Sequence, residues 1–116
     1  MLFALLFLTV VIYLIQIVRW KIKLQFEWDE EKEKINIYKH GIDFETANRV
    51  FLDPNRLEYY DEVHSFAGEE QYITIGSVKG VLTVVYTERT KSLRIISARV
   101  ATKKESAVLW QSGNMK

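Results

Sequence analysis

The sequence of 116 residues contains no cysteine, a single proline and only two histidines. The lack of cysteine excludes disulfide bonds and zinc sites built from thiolates. The two histidines, His40 and His64, are 24 residues apart, so a metal site would have few nitrogen ligands. Glycine-rich phosphate loops, internal repeats and low-complexity tracts are also missing. We therefore expect a single small domain that uses no metal and no cofactor.

Residues 1–18, by contrast, form an uninterrupted apolar run without any charged side chain. This length is close to the roughly 20 residues that a helix needs to cross a bilayer, and three basic residues and a tryptophan follow directly. Residues 1–23 are therefore predicted to be either a transmembrane helix or a leader upstream of the true translation start, which would then be Leu24. The positive residues would hold a tethered chain on the cytoplasmic side of the inner membrane. Both interpretations place the functional domain, residues 24–116, in the cytoplasm.

Charge is strongly segregated along the rest of the chain, although the net formal charge is only +1. Residues 24–78 carry 5 Lys and Arg against 13 Asp and Glu, a net charge of −8. Residues 79–116 carry 8 against 2, a net charge of +6. Such asymmetry indicates a surface for an anionic partner in the C-terminal part. The acidic part can also neutralise this surface within the fold, so charge alone leaves both interpretations open.

The spacing of apolar and turn residues predicts an α+β domain with the element order ααββββα after the hydrophobic helix. Asp29 and Gly41 have the positions of an N-cap and a C′ residue around a first helix, and Asp43 opens a second one. Four runs rich in Val, Ile, Thr and Tyr predict a mainly antiparallel sheet of four strands. Thr102 and Glu105 form a capping box, which predicts a C-terminal helix.

The last two predicted strands carry arginines, which are costly to bury in a β-sheet core and bind phosphate oxygens well. If residues 90–92 form a three-residue hairpin loop, Arg89 and Arg99 lie on the polar face of the sheet. On this register Glu88 and Arg94 form a pair at the end of the apolar face. An open sheet with one hydrated face is the alternative explanation for these side chains. The polar face also carries Thr87 and Ser97.

Several motifs resemble those of the BrnT family of ribonuclease toxins, which belong to type II toxin–antitoxin systems. The motifs are F-E-W-D, K-H-G-I-D-F, Y-x-x-I-G, Y-T-E-R and R-I-I-S-A-R, in family order and spacing over residues 26 to about 108. Two features depart from the family pattern: Gln71 stands where arginine is common, and residues 1–18 have no counterpart. The resemblance implies a RelE-like fold, cleavage of RNA, growth arrest and neutralisation by a BrnA-type antitoxin.

Cleavage of RNA without a metal uses the neighbouring 2′-hydroxyl as the nucleophile. The protein must stabilise a dianionic phosphorane and move two protons. Arginine suits the first task, whereas Glu88 with Arg94 is either a structural ion pair or the base with its partner. His40 is either a cap at the end of its helix or the acid that protonates the leaving 5′-oxygen. The predicted catalytic residues are Arg99, Arg89, Glu88, Arg94 and His40.

Further residues are predicted to bind RNA around this catalytic set. Lys103 and Lys104 begin the last helix, whose N-terminal amides can hold a phosphate. Thr87 and Ser97 lie on the polar sheet face. His64 lies in a polar loop and is expected to be exposed to solvent rather than catalytic. Two functions without chemistry stay open, namely a nucleic-acid-binding module and an interaction domain tethered to the membrane.

Overall fold

The computed structural model describes residues 2–23, 25–66 and 68–114, except for the side chains of residues 2, 16–23 and 113–114. The helices and strands follow one another as α1 (Leu2–Lys23), β1 (Phe26–Glu27), α2 (Glu30–His40), α3 (Phe44–Asn48), a 3₁₀ helix (Arg49–Leu52), β2 (Leu57–Tyr60), β3 (Tyr72–Ser77), β4 (Val81–Glu88), β5 (Leu93–Val100) and α4 (Lys103–Asn114).

Helix α1 carries apolar side chains that are exposed along residues 3–15, where only Val11 is partly buried. Within the residues that the structure describes, no helix combines the length and the apolar character needed to cross a membrane. The predicted transmembrane helix and its membrane contact are therefore not supported. The tryptophan and the basic residues that were predicted to anchor it fall in the segment 19–23, whose side chains are outside the described part.

The sheet has one strand more than the sequence predicts. Strand β1 has only two residues, and it pairs in parallel with β5, with Phe26 opposite Leu93 and Glu27 opposite Arg94. The result is a mixed sheet of five strands in the order β1-β5-β4-β3-β2, whose other pairs are antiparallel. The α+β class is confirmed, and the predicted four-stranded sheet is wrong because a two-residue strand is too short to show an alternating pattern. The RelE-like assignment stays a prediction.

The caps predicted for the two helices after β1 are present. The Asp29 carboxylate accepts hydrogen bonds from the main-chain N–H groups two and three residues further on, at 2.8 and 3.3 Å. Gly41 ends α2 in the left-handed conformation with φ of 70°, which glycine adopts without a steric penalty. Asp43 caps α3 by accepting a 2.9 Å bond from the Thr46 N–H. The second predicted helix is split into α3 and the 3₁₀ helix.

The core lies between these helices and one face of the sheet. Gly76 of β3 allows the 3₁₀ helix to approach closely, because a Cβ atom there would lie 3.2 Å from both the carbonyl oxygen and a methyl group of Val50. This contact gives a physical reason for the glycine of the Y-x-x-I-G motif. The buried cluster consists of Ile42, Phe44, Ala47, Val50, Phe51, Leu82, Val84, Tyr86, Ile95 and Ala98.

The opposite face of the sheet, which we call the α4 face, carries Glu27, Ile75, Thr83, Val85, Thr87, Arg94, Ser97 and Arg99. Helix α4 contacts β3 and buries Leu109. Its coverage is partial, since the side chains of Arg94 and Arg99 are 40% and 41% exposed. The α4 face is therefore open to solvent near β5.

Asn36 connects α2 to the outer side of β5, beyond the two residues of β5 that pair with β1. Its side-chain amide donates to the carbonyl oxygens of Ile42 and Ala98, each at 2.9 Å, and its oxygen accepts from the Ala98 N–H at 3.0 Å. The Asn36 side chain thus satisfies the main-chain groups of β5 as a neighbouring strand would. Only 4% of Asn36 is exposed.

We predict that Asn36→Ala lowers the free energy of unfolding by about 3 kcal/mol, because several buried hydrogen-bonding groups then lack partners. Urea denaturation followed by circular dichroism measures this loss. Lys32→Ala, which truncates an exposed side chain of the same helix, is the matched control and should change stability by no more than about 0.5 kcal/mol. A loss below about 1 kcal/mol for Asn36→Ala would contradict the bridging role.

Candidate active site

The pairing of β4 with β5 decides which arginines share a face of the sheet. Far from the hairpin, Thr83 lies opposite Arg99 and Val85 lies opposite Ser97. These pairs match the register that the three-residue loop predicts. Arg99 and Ser97 therefore lie on the α4 face, as expected from the sequence.

A β-bulge changes the register near the hairpin. The pairing shifts by one residue midway along the strands, so that Thr87 lies opposite Arg94 and Glu88 lies opposite Leu93. Because one extra residue of β5 is accommodated, the side chains that precede it in β5 change face. The predicted Glu88–Arg94 pair is therefore wrong. Arg94 lies on the α4 face with Arg99, and Glu88 lies on the side of the core.

A row of polar residues crosses the α4 face at the hairpin end of the sheet. Glu27, Arg94 and Thr87 are aligned by the pairing of β1, β5 and β4. Gln71 follows in this row, one residue beyond the last β3–β4 pair. The main-chain N–H of Asp61 donates to the Gln71 carbonyl at 2.9 Å, which extends the β2–β3 ladder by one bond. We call Glu27, Arg94, Thr87, Gln71 and Asp61 the polar row.

Arg94 and Glu27 form the charged part of the polar row. The Arg94 Nε atom lies 3.7 Å from the Glu27 Oε1 atom, and both side chains are partly exposed. The same Nε atom is buried and makes no hydrogen bond. The guanidinium thus lies next to a carboxylate while its donors are not saturated. Because the Arg94 side chain is 40% exposed, its terminal nitrogens can donate to a phosphate oxygen, whereas the buried Nε cannot be reached.

Sequence reasoning missed Glu27 as a site residue. The F-E-W-D motif contains it, but its position depends on the parallel pairing of a two-residue strand. Local sequence patterns do not report such a pairing, because it joins segments more than 60 residues apart. The charge opposite Arg94 is therefore Glu27, and not the predicted Glu88.

Thr87 and Ser97 lie on the α4 face as predicted. The Thr87 hydroxyl donates to the Glu70 carbonyl at 2.8 Å, and Thr87 is 4% exposed. Its proton is thus already used to fix the neighbouring loop. Ser97 is half-buried between the two arginine positions of β5.

Glu88 and Arg89, together with Thr87 at the edge of the α4 face, line a pocket of about 400 Å³ near the hairpin turn. The lining is mostly polar and includes a second carboxylate, that of Glu70, to which the Tyr72 hydroxyl donates at 3.2 Å. Burial and this carboxylate raise the pKa of Tyr72. Arg89 is itself 3.7 Å from a carboxylate oxygen of Glu69. The concentration of carboxylates makes this pocket less favourable for a phosphate than the α4 face.

Arg99 forms a bidentate pair with Glu105 in the first turn of α4. The two hydrogen bonds measure 2.7 and 3.1 Å. Glu105 also completes the predicted capping box, because it accepts from the Thr102 N–H at 2.8 Å while its own N–H donates to the Thr102 hydroxyl at 3.1 Å. Arg99 therefore stabilises the start of α4, which the sequence did not indicate. The exposed Lys103 and Lys104 lie directly beside this pair.

His40 is the predicted catalytic residue that lies apart from the arginines. It is exposed at the end of α2. In the described part of the chain, no hydrogen bond or ion pair joins His40 to Arg89, Arg94 or Arg99. Its role as an acid stays a prediction.

The Arg99–Glu105 pair predicts a loss of stability at acidic pH. The hydrogen bond from Arg99 is the main cause that lowers the pKa of Glu105 from 4.5 to about 2. A carboxyl group whose folded-state pKa is lowered stabilises the fold fully above its unfolded pKa, and this stabilisation disappears as the pH falls from 4.5 towards 2. We expect Glu105→Gln to remove about 1 kcal/mol at neutral pH, with allowance for solvent screening, and nothing near pH 2.

Thermal unfolding of both proteins across this pH range measures the effect. Glu62→Gln, in an exposed loop position, is the control and should follow the wild-type curve. A constant difference between Glu105→Gln and wild type at all pH values would show that the charge of Glu105 is unimportant.

Comparisons with known proteins agree with the motifs. A family model described as the ribonuclease toxin BrnT of type II toxin–antitoxin systems matches residues 28–105. Among solved structures, the 1.1 Å crystal structure of the Brucella abortus ribonuclease toxin BrnT is similar, with a TM-score of 0.53 and 26% sequence identity over 70% of this chain and 100% of that chain. Among curated proteins, none matches. The chain belongs to the BrnT family of ribonuclease toxins of type II toxin–antitoxin systems.

Proposed function

We propose that this ribonuclease toxin cleaves RNA without a metal and that the RNA strand lies on the α4 face. The observation that carries this proposal is the placement of Arg94 and Arg99 on one open face of the sheet. The two residues are five positions apart on β5, so their Cα atoms are separated by roughly 15 Å. A short single strand of RNA can contact both arginines through its phosphates.

In the proposed reaction, Arg94 binds the scissile phosphate. Its guanidinium stabilises the negative charge that develops on the equatorial oxygens of the phosphorane. The neighbouring Glu27 carboxylate accepts the proton of the attacking 2′-hydroxyl. This assignment makes Glu27 the base, a role for which the sequence had indicated Glu88 as a candidate. Arg89, near the hairpin turn, then contacts RNA beside the reacting phosphate, whereas Glu88, on the side of the core, has no part in this reaction.

The other basic residues of the α4 face bind a second phosphate. Arg99 already forms two hydrogen bonds with Glu105, so a phosphate reaches only its remaining donors. Lys103 and Lys104 stand at the positive end of α4 and add charge there. We infer that this group sets affinity and position on RNA, whereas the polar row performs the chemistry.

The central experiment incubates the purified full-length chain with RNA in the presence and absence of EDTA. We expect equal cleavage in both conditions, with products that end in a 2′,3′-cyclic phosphate and a 5′-hydroxyl group. Mass spectrometry of the fragments identifies both ends. RNA that is bound but intact in gel-shift and cleavage assays would favour the alternative function, a non-catalytic nucleic-acid-binding module.

A substitution of Arg94 tests its role as the phosphate ligand. Arg94→Ala should lower the single-turnover cleavage rate by about 10² to 10³, because a charged donor to the phosphorane is lost. Arg99→Ala should chiefly weaken RNA binding. Arg49→Ala is the matched control, since it removes an exposed arginine from the helical side of the sheet. Wild-type cleavage by a folded Arg94→Ala protein would exclude the assignment.

We also propose that residues 24–116 form the toxin domain and that residues 1–23 are not needed for cleavage. The family model matches residues 28–105, and the whole of the similar crystal chain is covered by 70% of this one. A chain in which a single Met replaces residues 1–24 should cleave RNA at the full-length rate. Loss of activity with retained folding would show that the leader contributes to the site.

A type II toxin has an antitoxin partner, and we propose that the antitoxin covers the basic part of the α4 face. An acidic segment would be attracted to Arg99 and Lys103 and would exclude RNA from the same surface. In the complex, Arg89, Arg99 and Lys103 should react more slowly with arginine- and lysine-directed reagents, while Arg49 reacts as before. Equal reactivity of all these residues with and without the antitoxin would place the inhibitory contact elsewhere.

A further inference from the structure

The loop between β2 and β3 is closed by hydrogen bonds of its own. The Asp61 N–H donates to the Gln71 carbonyl at 2.9 Å, and the Gln71 N–H donates to the Ser65 hydroxyl at 2.9 Å. The Ser65 N–H donates to the Asp61 carbonyl at 3.1 Å. The part of the loop that carries His64 is therefore held in place.

His64 is oriented by a buried carboxylate. Its Nδ1 atom lies 2.9 Å from Oδ2 of Asp61, and its main-chain N–H donates to the other carboxylate oxygen at 3.3 Å. The Asp61 side chain is 8% exposed, whereas the His64 side chain is 70% exposed. Because an ionised carboxylate only accepts hydrogen bonds, the proton of this bond belongs to Nδ1. The Nε2 atom, which faces away from this bond, is then the ring nitrogen available to a substrate.

The Asp61–His64 pair lies at one end of the polar row. Strands in a sheet are about 4.8 Å apart, so the five positions from Glu27 to Asp61 span roughly 19 Å between Cα atoms. Glu27 and Arg94 stand at the β1 side of this row, and His64 is attached to its β2 side. The positions of Arg94, Thr87 and Gln71 lie between these two ends.

An in-line displacement at phosphorus needs two proton-transfer groups on opposite sides of the phosphorus atom. The attacking 2′-oxygen and the leaving 5′-oxygen are roughly collinear with it. A base at the Glu27 end therefore requires an acid at the other end of the polar row. His64 has the required chemistry and stands at that end, whereas His40 stands at the end of α2.

We propose that His64 is the general acid of RNA cleavage and that Asp61 is the residue that positions it. The inference rests on the proposed function of the polar row. As the bond between the 2′-oxygen and phosphorus forms, the 2′-hydroxyl proton passes to the Glu27 carboxylate. The bond between phosphorus and the 5′-oxygen breaks, and that oxygen takes its proton from Nε2 of protonated His64. The products are a 2′,3′-cyclic phosphate and a 5′-hydroxyl end, and exchange with water restores both protein groups.

The test compares two leaving groups at one linkage. The main cleavage site of the full-length wild type is first mapped on an oligoribonucleotide. This linkage is then resynthesised with a bridging sulfur in place of the 5′-oxygen, because a thiolate leaves without protonation. His64→Ala should cleave the oxygen substrate about 10² to 10⁴ times more slowly than wild type. On the sulfur substrate its rate should come within about tenfold of the wild-type rate.

Asp61→Asn keeps the shape of the side chain but removes its charge. We expect it to slow the oxygen substrate and to spare the sulfur substrate, which is the signature of a residue that acts through the acid. A purely structural role of Asp61 would slow both substrates equally. His64→Gln serves as the second variant if His64→Ala does not fold, as judged by circular dichroism and Tm.

The outcomes separate this inference from the proposed function. If wild type leaves RNA intact, the proposed function fails and the role of His64 fails with it. If wild type cleaves RNA and His64→Ala cleaves the oxygen substrate within twofold, only the role of His64 is overturned. Equal slowing of both substrates by His64→Ala also overturns it. Rescue by sulfur in His40→Ala, but not in His64→Ala, would assign the acid to His40.

Discussion

The connection of Asn36 to Ala98 is the contact on which the site depends most. β5 carries the two arginines of the α4 face, yet β1 pairs with only its first two residues. Along the remainder of its outer side, the Asn36 amide replaces a strand and fixes α2 against β5. Burial of this amide is favourable only because all its bonds are satisfied. The pairing with β4 holds one side of β5, and beyond β1 the Asn36 side chain holds the other.

Local chemistry allowed much of the fold to be predicted from the sequence. Caps and turns are encoded by neighbouring residues, so Asp29, Gly41 and the Thr102–Glu105 box indicate their structures correctly. Tertiary pairing is not encoded in this way. Strand β1 pairs with β5 in parallel. Because it is only two residues long, no periodic pattern in the sequence indicates it. Consequently the F-E-W-D motif could be recognised in the sequence, but the position of Glu27 opposite Arg94 could not be predicted.

The β-bulge explains why the predicted site was only partly assembled by the structure. Alternation along a strand assigns faces correctly until one extra residue reverses it. Arg99 lies on the side of the bulge away from the hairpin turn, where the predicted register holds, so its face was predicted correctly. Arg94 lies between the bulge and the turn, so its face was predicted wrongly. The same bulge places Arg94 on the face that carries Arg99. The Asp61–His64 pair was missed for a different reason: a polar loop gives no signal of which side chains bond to one another.

The shortness of β1 has a consequence for how the site loses function. Two paired residues are the smallest possible strand, and segments at the edge of a sheet open more readily than its centre. Local opening of β1 would withdraw Glu27 from Arg94 while β2–β5 and the buried cluster stay intact. Hydrogen exchange at the Leu93 N–H, which donates to the Gln25 carbonyl at 2.8 Å, reports this opening directly. In the proposed mechanism this fraying removes the base from the site, at a free-energy cost far below that of global unfolding.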